Sequence, residues 1–301
     1  MFNCSAFDND LCVKAGCQIF PCPMESAKGV FRLTESILNQ GYEKAITRGS
    51  MPRVLLLTNP NNPTGTTMEM ENILMCLKWA MERSIHVISD EIYARTVYIP
   101  GEGAPFISAM TVIENACGGN KELQEWAVNH LHVVYGLSKD FCVSGLRAGF
   151  LYSKNLSVMG ALNNLNYFHA MSGYAQMHLL KGFLSSPEKI EAYTLVNNDR
   201  IFRSARCLFG LLNDLGIDYI HPNSGIFLFV DMSSLFSIHT FEGEQKLHRK
   251  LYEKCGVLFT PGQDCHCPKP GWFRVCFAWV PLTALKTAFE KIADSIDFLK
   301  A

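Results

Sequence analysis

The stretch VVYGLSKDFCVSGLRAGF, Val133–Phe150, joins an apolar run to a lysine and places an arginine eight residues further on. A short, unalternating run of branched and aromatic residues is typical of a parallel strand that is covered on both faces. Lys139 follows this run, where an ammonium ion is costly to desolvate. A lysine in a dry crevice has a lowered amine pKa and becomes a nucleophile able to form a Schiff base. We therefore expect a catalytic amine at the end of this strand.

Two earlier segments have the same character as this strand. RVLLLTN (Arg53–Asn59) and HVISDE (His86–Glu91) are short, apolar and end in polar residues, as HVVYGLS (His132–Ser138) does. A crossover helix is predicted between the first two, and Thr66 and Glu69 match a capping box before it. The apolar residues that recur at helical spacing in it are Ile73, Leu74, Leu77, Ala80 and Met81. This strand–helix–strand pattern predicts an α/β fold in which the polar strand ends converge on one crevice.

The second half of the chain is typical of a smaller α+β domain behind a long helix. That helix begins at Ser186–Pro187, where proline suits the first helical position, and Gly216 offers a stop. We expect residues 1–186 to form a large domain with a mostly parallel sheet and helices on both faces. Residues 187–301 then form the bridging helix and the small domain. Its further predicted elements are the strands Gly225–Met232 and Trp272–Val280, a helix through Leu247, Leu251 and Cys255 ended by Gly256, and a core-facing stripe from Leu282 to Leu299.

Composition excludes several classes of function. The 301 residues carry 27 basic and 28 acidic side chains without a long run of like charges, so neither nucleic acid nor a membrane surface is an expected partner. No apolar run reaches the roughly 18 to 20 residues of a membrane span, and the first ten residues lack a signal-peptide pattern. The spacing of the 12 cysteines favours reduced thiols over a zinc site. We expect a soluble, cytoplasmic protein without a bound metal.

Polar clusters follow the three predicted strands. NPNNPTG (Asn59–Gly65), DEIY (Asp90–Tyr93) and LSKD (Leu137–Asp140) supply an amide, a carboxylate, a phenol, a hydroxyl and an amine. This set suits a carbonyl cofactor, because an aspartate that faces a pyridine nitrogen keeps the ring protonated and makes it an electron sink. Arg147 could hold a phosphate by a forked, charged contact.

Each of these residues also has an ordinary structural interpretation when taken alone. Lys139 fits a surface lysine, Asp90 a helix cap and Asn62 a turn residue. Arg147 and Arg274 fit ordinary ion pairs. Their joint order along the chain is what favours a cofactor site.

The order of these motifs resembles that of class I aminotransferases, which are fold type I enzymes dependent on pyridoxal 5′-phosphate (PLP). NPNNPTG resembles the family's Asn-Pro-x-Asn-Pro-x-Gly turn, SDEIY its strand-end aspartate and tyrosine, and SKDFCVSGLRAG its Schiff-base segment with the phosphate arginine. PGQDCHCPKPGWFRVCFA, Pro261–Ala278, is very similar to the matching stretch of 1-aminocyclopropane-1-carboxylate (ACC) synthases. SKDF and SGLR are more similar to the ACC synthase-like proteins of animals than to the plant enzymes. The resemblance implies the PLP-dependent transferase fold type I.

The resemblance also implies a role for each motif residue. Lys139 would hold PLP as a Schiff base and, once released by substrate, would move the α-proton. The others would bind cofactor or substrate: Asp90 the pyridine nitrogen, Asn62 and Tyr93 the phenolic oxygen, Ser138 and Arg147 the phosphate, and Arg274 the substrate α-carboxylate.

The chain departs from the family pattern in four places, and in one of them Asn3 or Cys4 stands where the family has an aromatic ring that stacks on PLP. NCSAFDNDLCVKAG (Asn3–Gly16) resembles a stretch from the interior of family members. We therefore expect the first strands of the large sheet and a phosphate-cradling loop to be missing, which would leave a sheet edge exposed. Gly136 stands where many members have a phosphate-binding serine, and Trp279 replaces a small polar residue of the plant ACC synthases.

Two reactions and one non-catalytic interpretation stay open. The leading hypothesis is an aminotransferase that acts on an α-amino acid and a 2-oxo acid. The second is a lyase that expels a β or γ leaving group, as in the ACC synthase reaction on S-adenosylmethionine. The third is a truncated product that holds PLP poorly. The resemblance further implies a homodimer with sites at the subunit interface.

Overall fold

The computed structural model describes residues 8–27, 30–99, 103–116, 120–169 and 173–300, so residues 3–7 of the segment Asn3–Gly16 lie outside it. The strands are β1 (Glu25–Ala27), β2 (Val30–Arg32), β3 (Val54–Thr58), β4 (His86–Asp90), β5 (Leu131–Gly136), β6 (Gly149–Ser153), β7 (Asp218–Tyr219), β8 (Phe227–Asp231), β9 (Thr260–Pro261) and β10 (Trp272–Cys276). The α-helices are α1 (Glu35–Thr47), α2 (Met70–Glu82), α3 (Ala109–Ala116), α4 (Lys121–His130), α5 (Leu137–Asp140), α6 (Leu156–His169), α7 (Tyr174–Leu184), α8 (Pro187–Asp214), α9 (Phe241–Lys250), α10 (Leu282–Ala293) and α11 (Ile296–Lys300). Short 3₁₀ or π-helical turns cover Asp8–Lys14, Ser144–Leu146, Ser233–Leu235, Leu251–Cys255 and Gly262–Cys265.

The chain divides into two compact units. The lysine unit, named for Lys139, consists of Ala45–Pro60 and Thr67–Asn198. The arginine unit, named for Arg274, consists of the described residues of Met1–Lys44, Asn61–Thr66 and Asp199–Ala301. The predicted boundary between residues 186 and 187 stays a prediction.

A four-stranded sheet in the order β3-β4-β5-β6 forms the centre of the lysine unit. β3, β4 and β5 are parallel and in register, with Leu56 opposite Ile88 and Ile88 opposite His132. β6 runs antiparallel to β5. The prediction of a mostly parallel sheet built from three apolar runs is confirmed.

The crossover helix α2 is confirmed, but its predicted cap is wrong. Ile73, Leu77 and Ala80 are buried, as their helical spacing predicts. The residue before the helix is Glu69, whose side chain makes no capping hydrogen bond. The hydroxyl of Thr66 instead pairs with that of Thr64 at 2.7 Å, because Thr66 belongs to the preceding turn.

An antiparallel sheet in the order β7-β8-β10-β9 forms the centre of the arginine unit. The C-terminal stripe packs into the core, as predicted, through Leu285, Phe289, Ile292 and Leu299, but its predicted first residue, Leu282, is exposed. The structure divides that stripe into α10 and α11. Within the described residues, no helix combines the length and the apolar character that crossing a membrane requires.

The predicted helix stops are confirmed, at Gly216 after α8 and at Gly256 after the π-helical turn Leu251–Cys255 that continues α9. Gly216 and Gly256 have left-handed backbones, with φ of +62° and +68°, which glycine adopts without steric cost. α8 spans the division between the units, with its residues up to Asn198 in the lysine unit and those from Asp199 in the arginine unit.

Candidate functional site

The carboxyl ends of β4 and β5 bring two predicted site segments side by side. Asp90 ends β4 opposite Val134 of β5, and the backbone N–H of Glu91 donates to the carbonyl of Val134 at 2.9 Å. β5 ends at Gly136, and α5, which carries Lys139, follows directly. The predicted convergence of these two strand ends is confirmed.

Asp90 is a buried carboxylate with an altered acidity. Burial raises the pKa of its carboxyl from 3.8 to about 6, because a low-dielectric surrounding disfavours the charged form. The neighbouring Glu91 adds to the rise, and the N–H of Ile92, which donates to Asp90 Oδ1 at 3.3 Å, opposes it. A cation beside this carboxylate would lower its pKa. A protonated pyridine nitrogen is such a cation, so the residue fits the ring of PLP.

Lys139 is exposed, which differs from the expected dry crevice. The buried residues of α5 are Leu137 and Asp140, which lie three positions apart and therefore on one face of the helical turn. Lys139 lies off that face. Two further residues predicted near PLP lie close by in sequence: Ser138 is half-buried, and Tyr93 is buried in the turn that follows β4.

Lys139 and Arg147 belong to one loop, residues 137–148, which joins the neighbouring strands β5 and β6. The N–H of Leu137 donates to the carbonyl of Ala148 at 3.1 Å and so closes the base of the loop. Arg147 is exposed and left-handed, with φ of +51°, and its guanidinium donates to the carbonyl of Ser144 at 3.0 Å. The structure thus brings the predicted Schiff-base lysine and phosphate arginine into the same loop.

Gly136 lacks the hydroxyl of the family's serine, and the space around it also explains why residue 136 is a glycine. A Cβ atom at this position would lie 2.8 Å from Cδ1 of Ile92. The Ile92 side chain therefore occupies space that the family's phosphate-binding serine would need. Cδ1 is the end of a flexible side chain, so a small shift could admit the larger residue.

The other two predicted residues meet in the arginine unit. Asn62 lies in the turn of residues 61–66, which is closed by a hydrogen bond of 2.8 Å from the N–H of Asn61 to the carbonyl of Thr66. The carbonyl of Gly65 accepts hydrogen bonds from the N–H groups of Asn223 and Ser224, at 3.0 and 2.9 Å. These bonds attach the turn to the segment that leads into β8.

Arg274 lies on β10, opposite Phe229 of β8 and Thr260 of β9. Its Nη1 donates to Asn62 Oδ1 at 3.0 Å, and its Nη2 donates to Thr260 Oγ1 at 3.1 Å. The guanidinium also lies 5.5 Å from the ring centroid of Phe227. Two hydrogen bonds and an aromatic face therefore orient the predicted carboxylate-binding group.

Two buried carboxylates that support these loops were not predicted from the sequence. In the lysine unit, Asp140 accepts hydrogen bonds from Arg95, Thr96 and Tyr135, and burial raises the pKa of its carboxyl. In the arginine unit, Glu244 accepts from the N–H of Gln263 at 3.0 Å and of Gly271 at 2.7 Å.

Glu244 thereby ties both ends of the loop that joins β9 to β10. For Asp140 a sequence signal existed, since an acidic residue directly after Lys139 belongs to the quoted motif. For Glu244 the only signal was an acidic residue in an amphipathic helix, which is ordinarily solvated.

Comparison with known proteins identifies similar sequences over most of the chain. A family model described as aminotransferase class I and II matches residues 7–292. The 1-aminocyclopropane-1-carboxylate synthase of Malus domestica is 36% identical over 287 residues, which cover 95% of this chain and 59% of that protein. ACC synthase 1 of Oryza sativa subsp. indica is 35% identical over 97% of this chain and 58% of its own length. The chain therefore spans about three fifths of the length of these curated relatives.

Solved structures with the same fold include a lyase and an aminotransferase. A PLP-bound C-S lyase from Staphylococcus hominis superposes with a TM-score of 0.75 at 16% identity, covering 98% of this chain and 68% of that one. An aromatic aminotransferase from Pyrococcus horikoshii OT3 gives a TM-score of 0.71 at 19% identity, covering 89% of this chain and 64% of the other. At these identities the likeness shows a common fold, and the predicted α/β fold of the PLP-dependent type is confirmed.

Proposed function

The chain belongs to the aminotransferase class I and II family, and on this premise we propose that it is a PLP-dependent enzyme acting at the α-carbon of amino acids. One observation carries the proposal: the buried carboxylate of Asp90 ends the strand beside the one that leads into the turn of Lys139. A carboxyl whose pKa lies at about 6 because of burial would be stabilised in its charged form by a protonated pyridine nitrogen. When bound, PLP supplies a sink for the electron pair left at the substrate α-carbon.

Two residues of the lysine unit would act on cofactor and substrate directly. Lys139 would bind the aldehyde carbon of PLP, and its amine, once released, would move the proton at the substrate α-carbon. Its exposed position and four-carbon stem allow both tasks, because the amine has to leave and return. Asp90 would keep the proton on the ring nitrogen. Around them, Ser138 and Arg147 would bind the phosphate, and Tyr93 the phenolic oxygen.

The arginine unit would recognise the substrate. Arg274 would bind the α-carboxylate through its planar fork, whose orientation depends on its hydrogen bonds to Asn62 and Thr260. A fixed fork reduces the entropy lost on binding and orients the α-C–H bond for proton removal. Asn62 would also reach the phenolic oxygen of PLP, as the family resemblance implies.

Amino-group transfer is the reaction that the sequence motifs favoured, and carbon–sulfur cleavage is a second candidate with its own support. The curated relatives named ACC synthase are 35–36% identical to this chain, whereas the aminotransferase with the same fold is 19% identical. These relatives favour cleavage of a leaving group over transfer. Both reactions begin with loss of the α-proton, so the residues assigned above serve either one.

The experiment that tests the proposal begins with absorbance. Purified protein incubated with PLP should develop the visible band of lysine-bound PLP, and Lys139→Ala should lack it. Lys154→Ala is the matched control, because Lys154 is also an exposed lysine and follows β6 in the same unit. Absence of the band in the unaltered protein, or its persistence in Lys139→Ala, would refute the proposal.

Product analysis then separates the two reactions. The loaded protein is incubated with α-amino acids and 2-oxo acids, and separately with S-adenosylmethionine. A new amino acid formed from the 2-oxo acid indicates transfer. Release of a sulfur compound with a cyclic or unsaturated product indicates cleavage, and amino transfer without such a product refutes the lyase candidate.

The homodimer implied by the family resemblance is part of the proposal. Light scattering after size-exclusion chromatography checks it, since a monomer of 33.7 kDa and a dimer of twice that mass are easily resolved. A monomer that still binds PLP would contradict the expected assembly while leaving the cofactor proposal intact.

A further inference from the structure

Asp140 is a buried carboxylate with three hydrogen-bond donors, and it lies in the loop that carries Lys139. Its side chain is 2% exposed. Oδ2 accepts hydrogen bonds from the backbone N–H of Arg95 at 2.9 Å and from the hydroxyl of Tyr135 at 2.8 Å, and Oδ1 accepts from the hydroxyl of Thr96. A buried carboxylate with three donors forms a rigid polar network, because loss of any donor leaves charge unsolvated.

The donors come from two separate parts of the chain. Tyr135 lies on β5, directly before the loop of Lys139. Arg95 and Thr96 lie at the end of the turn that contains Tyr93, whose carbonyl accepts from the N–H of Thr96 at 2.9 Å. Asp140 therefore joins the turn predicted to hold the phenolic oxygen of PLP to the turn predicted to hold its aldehyde carbon.

Helix α8 is also hydrogen-bonded to the two turns that Asp140 joins. Asn198 Nδ2 donates to the carbonyls of Arg95 and Val97, each at 3.0 Å. Asn197 Nδ2 lies 3.4 Å from the carbonyl of Asp140. Both turns are thus attached to one helix as well as to each other.

The amine of Lys139 has no comparable support of its own. Among the described residues it makes no hydrogen bond or ion pair, and the side chain is exposed. The position of this amine is therefore determined by the backbone of residues 137–140. That backbone is held by Asp140 together with the packing of Leu137 against Phe141, Ala148 and Leu180.

We propose that Asp140 is a positioning residue that holds the Lys139 turn against the Tyr93 turn, so that the amine and the phenol keep a fixed separation. This inference rests on the proposed PLP-dependent function and adds to it a residue that touches neither cofactor nor substrate. Its physical basis is that a catalytic group about 1 Å out of place loses most of its contribution to the reaction rate.

Glu91 provides a control within the same unit. It is also a buried carboxylate with three donors: the hydroxyl of Ser89 at 2.9 Å, and the hydroxyl of Ser108 and the N–H of Ala109, each at 3.0 Å. Ser108 and Ala109 lie at the start of α3 and Ser89 lies on β4, so none of these donors belongs to the Lys139 turn. Removing one hydroxyl from each network distinguishes two effects. One is the general loss of a buried hydrogen bond, and the other is displacement of the Lys139 turn.

The test compares Thr96→Val and Tyr135→Phe with Ser108→Ala, and Asp140→Ala with Asp140→Asn. With its oxygen at the Oδ2 position, asparagine can accept from the N–H of Arg95 and the hydroxyl of Tyr135, while the hydroxyl of Thr96 can rotate to accept from its NH2 group, so it should restore most of the network. Hydrogen–deuterium exchange of residues 92–97 and 137–143, measured without PLP, reports on how firmly the Tyr93 turn and the Lys139 turn are held together. The PLP dissociation constant and the fraction of Lys139 trapped with PLP by borohydride, identified by peptide mass spectrometry, report on the amine.

For Asp140→Ala we expect exchange in both segments at least tenfold faster and PLP binding at least tenfold weaker. Thr96→Val and Tyr135→Phe should show about a threefold change in the same readouts. Asp140→Asn should stay within about threefold of the unaltered protein. Ser108→Ala should lower the melting temperature without changing either readout.

Two results would overturn the inference. One is exchange and PLP trapping equal to the unaltered protein in both single-hydroxyl variants of the Asp140 network. The other is an equal change in Ser108→Ala, which would reduce Asp140 to a general stabilising role. If Asp140→Ala fails to fold, the single-hydroxyl variants decide. If the unaltered protein binds no PLP, the proposed function fails, and the exchange measurements alone decide whether Asp140 joins the two turns.

Discussion

The lysine unit and the arginine unit position their functional groups in different ways. Arg274 is held at its guanidinium, by Asn62 and Thr260. Lys139 is held through its backbone, and the stem and amine extend to the surface. A group that recognises a carboxylate gains from being fixed, whereas an amine that binds a cofactor, leaves it and carries a proton has to move. The contrast fits the proposed roles, because the side chain proposed for recognition is fixed at its tip and the one proposed for chemistry is fixed at its base.

The largest expected effect comes from Asp90 in the lysine unit. Asp90→Asn removes the carboxylate that would keep the cofactor ring protonated, so we expect the turnover rate to fall roughly 1,000-fold. The PLP absorbance band should persist, because Lys139 is unaltered. A loss of turnover below about tenfold would contradict the assigned role of Asp90.

Asp90→Asn should also change the free energy of unfolding, which can be measured independently of turnover. The pKa of Asp90 is raised from 3.8 to about 6, so its protonated form favours the folded state. That stabilisation is complete below about pH 4 and is lost as pH rises through 6. Without PLP, Asp90→Asn should therefore raise the free energy of unfolding at pH 8 by up to about 3 kcal/mol, as measured by urea titration. Equal pH dependence in both proteins between pH 4 and 7 would count against a raised pKa.

The next effect concerns the fixed group of the arginine unit. Arg274→Gln removes the charged fork, and we expect kcat/KM for an α-amino acid to fall about 100-fold, since charged hydrogen bonds contribute about 1.5–3 kcal/mol. Arg274→Lys should recover little, because an ammonium group cannot bind a carboxylate through a planar fork. PLP binding should stay unchanged. Thr260→Val, which removes one partner of the guanidinium, serves as the intermediate case.

A third variant distorts the turn that carries Asn62. Gly65 has φ of +68°, and a Cβ atom there would lie 2.8 Å from the backbone oxygen of Ser224. Gly65→Ala should therefore destabilise the protein by about 2–4 kcal/mol. Gly216→Ala is the control, because its φ is +62° and a Cβ there meets no atom within 4 Å. It should cost only about 1 kcal/mol, so equal melting temperatures for the two variants would refute the close contact at Gly65.

The smallest expected effect is a gain in the lysine unit. Gly136→Ser adds the hydroxyl that many family members use for the phosphate, and Ile92→Val removes the Cδ1 atom 2.8 Å from the new Cβ. The double variant should bind PLP about fivefold more tightly, or ~1 kcal/mol, while Gly136→Ser alone should gain less. Ile92→Val alone is the control. Weaker binding by the double variant would show that residue 136 does not face the phosphate.

Most of the element order could be predicted from the sequence. Local patterns within one segment of the chain predicted these elements. They are the apolar runs at β3, β4, β5, β8 and β10, the helical spacing in α2 and α8, and the glycine stops. The polar residues at the strand ends were equally visible, because parallel strands bring their carboxyl ends to one edge of a sheet. Local sequence patterns were therefore enough to predict the α/β fold and the residue types available for chemistry.

How those residues are held depends on contacts between distant parts of the chain. Arg274 and Asn62 lie 212 positions apart, and no local pattern predicts their hydrogen bond. Asp140 is buried, whereas its neighbour Lys139 is exposed. The burial of Asp140 depends on hydrogen bonds from Tyr135, Arg95 and Thr96, the last of which lies 44 positions away. Spacing along one chain segment carries information about which face a residue occupies, whereas the burial of a charge depends on long-range partners that compensate its desolvation.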